Sequence, residues 1–435
     1  MPSFLPDDVL LYIFGQAVDR GDITWPKTDY SREFAAAPFK LAAVCPRWRT
    51  LARATCSLWT YFGFPGHFES HHAHLPRLEI LLALSKEAPI DLELVQRHRG
   101  HGSGNLEMEE LFDRHPQAFK LVQILATLVR RCRTLVLDVS TGMTAVFFSA
   151  SSSDTWPYLE FLSVRYTNRL HGLPHLPRLL CMHLGYCSMT GLRDALTQLP
   201  SLTTLTILQS DGEEDTHALL RAVSLQLTDL CLLGFPEGSA DEPLVFPRLR
   251  SLTLNDSFDL HHFRAPALQR LALDLGNLNN DVLSATQHVA SVKHLQIWGA
   301  VDFENLVLLQ DLRQISRLTF AVAAEVGWIW KESYHLSANL FQVLSAVVPP
   351  MWPLLKRIDF CSMDTRSTSS QSHEGLLKFI ASRQNRGNAL ATEPTVARIH
   401  EVHLDYHRNR EEEMRSFVLR LQDLLKDGTL QVRPY

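Results

Sequence analysis

The residues of this chain that are best suited to chemistry form a histidine cluster. His67, His71, His72 and His74 lie within eight consecutive positions. Neutral imidazole is a common zinc ligand, but a zinc site also needs a fourth well-placed ligand and hydrogen-bonded groups that orient each ring. A solvated loop is the simpler interpretation of this spacing. We therefore predict no metal site.

The seven cysteines do not form a redox motif. They are odd in number and never spaced as Cys-x-x-Cys, which favours reduced thiols in a core. The positions are Cys45, Cys56, Cys132, Cys181, Cys187, Cys231 and Cys361.

The sequence contains none of the short motifs that bind phosphates, dinucleotides or catalytic zinc, or that carry an acyl-transfer serine. The patterns sought were Gly-x-x-x-x-Gly-Lys-Ser/Thr, Gly-x-Gly-x-x-Gly, His-Glu-x-x-His and Gly-x-Ser-x-Gly. We therefore predict that the protein is not an enzyme and needs no cofactor. A hydrolase without a recognisable motif is the enzymatic alternative, and it would need a nucleophile and a base within hydrogen-bonding distance.

The composition is that of a soluble globular protein, with 46% apolar and 20% charged residues among 435. A net charge of −5 gives no general attraction for nucleic acid or anionic lipid. No apolar run approaches the 18 residues or more that a membrane-spanning helix needs, and the N-terminus shows no signal segment. We expect a cytoplasmic or nuclear protein that binds neither nucleic acid nor membranes.

From residue 132 onward the chain repeats one six-residue pattern. It consists of an apolar residue, which we call the anchor, then two variable residues, an apolar residue, one variable residue and a third apolar residue. The triplets are Cys132/Leu135/Leu137, Leu159/Leu162/Val164, Leu179/Met182/Leu184, Leu202/Leu205/Ile207, Leu227/Leu230/Leu232, Leu249/Leu252/Leu254, Leu268/Leu271/Leu273, Val292/Leu295/Ile297, Ile315/Leu318/Phe320, Leu355/Ile358/Phe360 and Ile399/Val402/Leu404. Eight of the ten steps between anchors measure 19 to 27 residues, close to the leucine-rich-repeat period. The pattern resembles an irregular leucine-rich repeat without the usual Asn or Cys after the strand.

Successive side chains of a strand point to opposite faces, so the last two apolar members of each triplet share one face and leave the other open. Stacked repeats of this kind form a solenoid. The fold class predicted is α/β: an N-terminal helical part, then an irregular leucine-rich-repeat solenoid with a curved parallel sheet. The two long steps between residues 315 and 399 hold insertions, with helices predicted at 338–348 and 375–382.

The segment before the repeats is predicted to contain helices at 75–88 and 106–131 and a strand at 90–94 that opens the sheet. A helix at 411–426 carries apolar residues at helical spacing near the end of the chain. It either caps the solenoid or binds a partner.

The N-terminal residues predict two or three short amphipathic helices. Pro6 suits a first helical position, and Asp7 and Asp8 lie favourably against the positive end of the helix dipole. Leu10, Ile13 and Phe14 define one apolar face. Pro46 breaks the second helical stretch and starts a third.

This head, residues 1–62, resembles the F-box, in particular the variant expanded in fungi. The motifs that carry the resemblance are Leu5-Pro6-Asp7-Asp8-Val9-Leu10, Val44-Cys45-Pro46-Arg47-Trp48 and the closing Leu58-Trp59. The linker predicted at residues 15–37 is longer than compact F-boxes have. The resemblance implies docking on a Skp-type adaptor and through it on a cullin ubiquitin ligase. The contact would be formed or backed by Leu5, Pro6, Val9, Leu10, Ile13, Phe14, Leu41, Val44, Cys45, Trp48 and Leu51.

The open face of the sheet is the predicted contact surface for a protein target. Its side chains lie two, four and six residues after each anchor, carry mixed charge and include one large aromatic. The candidates are Arg165, His183, Asn255, Arg270, Asp274, His294, Trp298, Arg317 and Arg357, with Asp229, Asp359, Glu401, His403 and Asp405 also facing outward.

The sequence thus predicts the substrate-recognition subunit of an SCF-type (Skp–cullin–F-box) ubiquitin ligase, in which the head binds the adaptor and the repeats bind the target. The predicted domains are the head at 1–62, connecting helices and a first strand at 63–131, the solenoid at 132–408 and a capping helix and strand at 409–435. The alternative is a leucine-rich-repeat scaffold whose F-box-like helices only cap the solenoid.

Overall fold

A computed structural model describes the chain in two compact units, Met1–Val223 and Ser224–Tyr435. The residues described are 5–18, 30–65, 74–95, 116–139, 141–150, 155–167, 173–187, 199–208, 213–234, 243–254, 263–274, 289–298, 300–301, 306, 309–320, 335–336, 340–346, 351–363, 370–386, 396–406, 411–425 and 428–434. The predicted domain boundaries at residues 62, 131 and 408 stay predictions.

The first unit begins with three helices, α1 (Asp7–Val18), α2 (Tyr30–Val44) and α3 (Pro46–Ala54), followed by a 3₁₀ turn at Cys56–Trp59. The predicted break at Pro46 is confirmed. Cys45 is extended there, and its sulfur accepts a hydrogen bond from the backbone N–H of Trp48 at 3.4 Å. This bond satisfies one of the unpaired donors at the start of α3.

The predicted linker at 15–37 is too long. Helix α1 continues to Val18 and α2 already begins at Tyr30, with Pro38 inside it. Three consecutive alanines, at 35–37, precede that proline, and alanine has the highest helix propensity. The helix therefore forms despite the proline. Residues 19–29 lie outside the described part of the chain.

The first unit continues as a parallel sheet, with helices between some of its strands. Its strands are β1 (Tyr61–Pro65), β2 (Ile90–Val95), β3 (Cys132–Asp138), β4 (Phe161–Thr167), β5 (Cys181–Cys187) and β6 (Thr204–Leu208). Its helices are α4 (His74–Ser85), α5 (Pro116–Thr127), α6 (Thr141–Ala150) and α7 (Glu213–Val223). The sheet begins one strand earlier than predicted, because β1 pairs with β2.

The second unit repeats the same arrangement. The strands of its main parallel sheet are β7 (Asp229–Leu233), β9 (Ser251–Leu254), β11 (Arg270–Asp274), β12 (His294–Trp298), β14 (Arg317–Phe320), β16 (Arg357–Met363), β17 (Glu401–Tyr406) and β18 (Thr429–Pro434). Two short pairs join β8 (Leu244–Val245) to β10 (Phe263–Arg264) and β13 (Ala300–Val301) to β15 (His335–Leu336). Its helices are α8 (Leu340–Ala346), α9 (Ser370–Arg386) and α10 (Glu411–Leu425).

The repeat register is confirmed, because every member of the eleven predicted triplets is at most 2% exposed. Strand pairing places equivalent residues side by side, as for Leu271, Leu295 and Leu318 in the second unit. Rows of buried leucines therefore run across the strands of each unit, and helices or turns connect one strand to the next. This is an α/β solenoid, as predicted.

Three further strands share this register, although the repeat pattern did not include them. Of these, β2 corresponds to the strand predicted at 90–94 and β18 to the strand predicted within 409–435, so only β1 was not predicted. Phe62 and Leu92 occupy the first-row position of β1 and β2, and Leu430 occupies that of β18. In β2 and β18 the residue three places earlier is Pro89 or Asp427, so the apolar anchor of the pattern is missing. In β1 the anchor is Trp59, which the sequence pattern had assigned to the head.

The remaining predicted helices are present with shifted ends. Helix α5 begins at Pro116, and residues 101–115 lie outside the described chain. Helix α9 begins earlier and ends later than the predicted 375–382. Helix α10 buries Met414, Phe417 and Leu421, and Phe417 stacks on His373 of α9 at 4.5 Å between ring centroids. Among the residues described, no helix has the length and apolar character needed to cross a bilayer.

Candidate binding surfaces

The first candidate surface lies on α1, which has two apolar faces rather than the single face predicted. Leu10 and Phe14 are fully buried, and the Phe14 ring packs edge-on against Trp48 with 4.9 Å between centroids. Ile13, predicted on the same face, is instead 39% exposed. Leu10 and Phe14 therefore support the head from within.

The second face of this segment is open to solvent. Leu5, Val9 and Ile13 follow one another at four-residue intervals and are 45%, 37% and 39% exposed. Val9 and Ile13 lie four residues apart in α1 and therefore on the same side of the helix, and Leu5 precedes its first turn. Tyr12 and Val44 of the head are also exposed, at 69% and 55%. We call Leu5, Val9 and Ile13 the head stripe. Contiguous exposed apolar side chains of this kind mark interaction sites.

An arginine of α3 fixes the start of this stripe. Nε of Arg47 donates to Oδ1 of Asp7 at 3.0 Å, and Nη2 donates to the backbone oxygen of Leu5 at 2.6 Å. The pair is exposed, so its net contribution to stability is small. Its effect is to hold Leu5 in place beside α1.

The other residues expected at the adaptor contact differ in how much of each side chain is exposed. Pro6 is exposed, while Leu41, Cys45, Trp48 and Leu51 are half-buried.

The second candidate surface is the open face of the second unit. Strand pairing sets Arg270, His294, Arg317 and Arg357 side by side on β11, β12, β14 and β16, followed by Glu401 on β17. Neighbouring strands lie about 4.8 Å apart. The structure therefore brings four of the predicted contact residues into one row.

Asp359 is the centre of the polar contacts on this face and is only 3% exposed. It accepts hydrogen bonds from Nε of Arg317 at 2.6 Å, from Nε of Arg357 at 2.8 Å and from the Thr319 hydroxyl at 3.1 Å. Burial alone would raise the pKa of Asp359, but the hydrogen bonds and charges of the two arginines outweigh burial and lower it. The carboxylate is therefore charged and orients both guanidinium groups.

Arg357 also contacts the next strand. Its Nη1 donates to Oε2 of Glu401 at 3.2 Å, and its Nη2 donates to Nδ1 of His403 at 2.9 Å. Burial, followed by the charge of Arg357, lowers the pKa of His403, although Asp359 and Glu401 oppose this. The imidazole is therefore neutral at physiological pH and can accept this bond.

A depression of about 210 Å³ opens beside these residues, with Arg357, His403, Asp405, Gln431 and Arg433 in its lining. Burial raises the pKa of Asp405, and the charge of Arg433 only partly offsets it. Gln431 and Arg433 belong to β18, the strand predicted within 409–435, which the repeat pattern did not include for lack of an apolar anchor. Most of the lining side chains are polar or charged, and they include Arg317 and Arg357 of the arginine row.

On the corresponding face of the first unit, the polar side chains are more deeply buried than on the open face of the second unit. Arg165 and Asp138 form an ion pair at 3.2 Å between two buried side chains. The Arg165 side chain passes over Gly185, where an added Cβ would lie 3.1 Å from its Cγ. His183 is 5% exposed and packs edge-on against Phe161 at 4.9 Å. Arg165 and His183 are therefore buried and offer little surface to a partner.

Within the described part of the chain, Cys181 and His183 place a thiol next to an imidazole, with Sγ and Nε2 3.0 Å apart. Burial, and then the charge of Arg165, lowers the pKa of His183 to about 3. Such an imidazole is a poor general base at neutral pH, and the nearby guanidinium opposes an imidazolium that would stabilise a thiolate. The geometry is that of an ordinary hydrogen bond.

Two acids of β2, the strand predicted at 90–94, are also buried. Asp91 is 5% exposed and accepts bonds from Nε and Nη2 of Arg133 at 3.2 and 2.8 Å. Glu93 is 6% exposed and accepts from the Tyr61 hydroxyl at 2.5 Å. Their partners come from the strands on either side, which a single-strand pattern does not identify.

The other predicted residues are placed as follows. Asp274 is half-buried, and Trp298 is 3% exposed, so the one large aromatic expected on the open face offers little surface. Asn255 and the histidines from His67 to His72 lie outside the described residues. Within the described ranges, no three His, Cys, Asp or Glu side chains are grouped to hold a metal ion.

No protein-family model matches the chain, and no curated protein matches its sequence. Three solved structures are similar in fold. The TLR13–ssRNA13 complex shares 16% identity over 64% of this chain and 39% of that one, with a TM-score of 0.38. A Bacteroides fragilis protein shares 13% over 60% and 68%, with a TM-score of 0.32. A leucine-rich-repeat protein of Leptospira interrogans shares 13% over 82% and 91%, with a TM-score of 0.26.

The chain spans less than half of the TLR13 chain. Because all three TM-scores are below 0.5, the solenoid assignment rests on the strand register of this chain itself.

Proposed function

We propose that this protein is the non-catalytic substrate-recognition subunit of an SCF-type ubiquitin ligase. Its head would dock on a Skp-type adaptor, and its solenoid would hold a target protein near the transferring enzyme. Ubiquitin transfer would then be promoted by proximity, with no catalytic residue in this chain.

The observation that carries the proposal is the exposure of the head stripe. Leu5, Val9 and Ile13 are among the positions that the F-box resemblance assigns to the adaptor, and all three are more than a third exposed. A large apolar side chain that becomes fully buried contributes roughly 1.5 to 3 kcal/mol. Burial of the three partly exposed side chains of the head stripe would therefore supply part of the binding free energy of a specific interface.

The second candidate function is a scaffold whose head only caps the sheet, and one contact favours it. Trp59 is 2% exposed, its Nε1 donates to the backbone oxygen of Ala52 at 2.7 Å, and its ring meets Phe39 of α2 edge-on at 5.1 Å. The next residues form β1, so the head packs directly on the first strand. A cap would need this contact but would not need an exposed stripe.

The two functions are separated by an adaptor-binding experiment on the full chain. The double variant Val9→Asp, Ile13→Asp changes only the exposed stripe, so the head should stay folded. We expect its affinity for a purified Skp-type adaptor to fall by at least about 10-fold, because two charges would replace apolar contacts. The matched control is Leu225→Asp, Leu419→Asp, two leucines of the second unit that are 69% and 56% exposed.

Equal adaptor binding by the stripe variant and the control would contradict the receptor function, as would a wild-type chain that does not bind the adaptor. The cap function would then be favoured. Circular dichroism of each variant verifies that the helices are retained.

A further inference from the structure

A repeated backbone contact lies at the point where the strands of the second unit begin. The carbonyl oxygen of Arg250 accepts from the N–H groups of Gln269 and Arg270, both at 2.9 Å. The carbonyl of Lys293 accepts in the same way from Ser316 and Arg317, at 2.8 and 3.0 Å. This contact aligns the residue before each strand, and the first residue of the strand, with their equivalents in neighbouring repeats.

These aligned positions are strongly basic on five consecutive strands, β9, β11, β12, β14 and β16. The ten residues are Arg250, Ser251, Gln269, Arg270, Lys293, His294, Ser316, Arg317, Lys356 and Arg357. Six are Arg or Lys and none is acidic. The chain has 42 Lys and Arg and 47 Asp and Glu among 435 residues, which corresponds to about one of each in ten positions. We call the six cations the basic edge.

Each of the five strands contributes one cation, except β16, which contributes two, Lys356 and Arg357. Arg250, Lys293 and Lys356 stand just before β9, β12 and β16, and Arg270 and Arg317 begin the two strands between them. With strands about 4.8 Å apart, four steps give a basic edge about 19 Å long. An extended peptide advances about 3.3 Å per residue, so this length matches roughly six residues.

Most of this charge is available to a ligand. Arg250, Arg270, Lys293 and Lys356 are exposed, and within the described part of the chain none of them makes an ion pair. Arg270 donates only to the neutral amide oxygen of Gln296. Arg317 uses Nε for Asp359, and its side chain is still 40% exposed. Among the residues described, Arg250, Lys293 and Lys356 therefore hold no acidic side chain in place.

Acidic residues mark both ends of the basic edge. Asp229 occupies the equivalent first position of β7 on one side, and Glu401 that of β17 on the other. A long polyanion that ran past the edge would meet these carboxylates, whereas a short anionic segment would not.

We propose that the basic edge binds a short, extended anionic segment of the target protein, about six residues long and carrying carboxylate or phosphate groups. This inference rests on the proposed function, because it names what the solenoid recognises in its target. Charge complementarity supplies specificity and speeds association, since opposite potentials attract the partner before contact.

A peptide fits this surface better than nucleic acid. Single-stranded nucleic acid is bound by basic grooves that also offer exposed aromatic rings for stacking. In the second unit, each aromatic ring whose exposure is described is buried, Trp298 among them at 3%. The chain as a whole carries a net charge of −5, which opposes a long polyanion.

The test uses the full chain and labelled eight-residue peptides of alternating Glu and Ser. A Gln-for-Glu peptide is the neutral control, a phosphoserine-for-Glu peptide distinguishes phosphate from carboxylate, and a single-stranded oligonucleotide of equal charge tests the nucleic-acid alternative. The variant is Arg250→Gln, Lys293→Gln, Lys356→Gln. Its matched control, Lys120→Gln, Lys378→Gln, Arg415→Gln, makes the same charge change on exposed helix positions.

We expect the Glu or phosphoserine peptide to bind, the neutral peptide not to bind, and affinity to weaken with added salt. The edge variant should bind about 10-fold more weakly and the control variant within about twofold of wild type, since each exposed charge pair contributes modestly. The inference is overturned if no anionic peptide binds, if both variants lose affinity equally, or if the oligonucleotide binds more tightly than every peptide.

Adaptor binding by the same variants separates this inference from the proposed function. If the edge variant keeps the wild-type affinity for both the peptide and the adaptor, the result contradicts the basic-edge inference and leaves the proposed function standing. Failure of the wild-type chain to bind the adaptor, with the peptide still bound at the edge, contradicts the ligase function and leaves an anionic-peptide scaffold.

Discussion

Arg357 and Asp359 lie two residues apart on β16, and Nε of the arginine donates to Oδ1 of the carboxylate at 2.8 Å. Both face outward because alternate residues of a strand share a face. The same carboxylate also accepts a hydrogen bond from Nε of Arg317 at 2.6 Å. Arg317 lies on β14, which pairs directly with β16 in the sheet. One buried acid thus orients two arginines of the candidate target surface.

We predict that Asp359→Asn destabilises the protein by about 1 to 3 kcal/mol. The amide nitrogen cannot accept a bond, so one guanidinium loses its partner and its counter-charge. Both arginines are partly exposed, which keeps the loss below that of a fully buried pair. Urea unfolding at pH 7 measures it.

Asp405→Asn is the control for that substitution. Burial already raises the pKa of Asp405, so its charged form is not favoured by the fold. We expect a change within about 0.5 kcal/mol. Equal losses in the two variants would show that Asp359 has no special role.

His183 should make stability depend on pH below about 6.5. Its pKa is lowered to about 3 by burial and by Arg165, from an ordinary value of 6.5. Between these values the unfolded chain binds the extra proton, so stability is lost as the pH falls. At pH 5 the expected loss is about 2 kcal/mol.

Denaturant unfolding of wild type and His183→Gln at pH 7 and pH 5 measures this contribution. The variant should lose less stability than wild type over that interval, because it removes the titrating group. An identical pH dependence in both proteins would assign the effect to other groups.

Trp59 connects the head to the sheet, and Trp59→Phe should weaken that connection by about 1 kcal/mol. The change removes the hydrogen bond to the buried carbonyl of Ala52, which keeps only the bond from the Thr55 N–H at 3.2 Å. Trp48→Phe is the control, because Trp48 is half-buried and its contact with Phe14 needs only a ring. Thermal unfolding should show the larger decrease in Tm for Trp59→Phe.

The apolar frame of the solenoid could be predicted because its signal is local. The spacing of Leu268, Leu271 and Leu273 alone predicts a strand. Their burial follows because side chains along a strand point alternately to the two faces of the sheet. The buried charges could not be predicted in this way. Asp91 is covered by Arg133, which comes from the next strand, and the pairing depends on a register shift between β2 and β3.

The head shows a similar division. The spacing of Leu10 and Phe14 predicted a packed helix face correctly. It did not predict that Ile13 would face solvent, because both sides of α1 are apolar and tertiary contacts choose between them. The basic edge was also missed, since it combines positions from five strands and becomes visible only when the register is known.

Gly428, immediately before β18, is the position where the smallest substitution should have the largest effect on the fold. A Cβ there would lie 2.4 Å from the backbone oxygen of His400, the atom that accepts the hydrogen bond from Thr429 at 2.7 Å. Backbone atoms of a paired strand cannot move aside easily, so we expect Gly428→Ala to cost about 1 to 3 kcal/mol and to loosen β18. Gly185→Ala is the matched control, because its nearest neighbour is a side-chain atom, Cγ of Arg165 at 3.1 Å, rather than a backbone atom. Hydrogen exchange should show β18 amides losing protection in Gly428→Ala only, and unchanged protection there would mean that the turn before β18 can relax without releasing the strand.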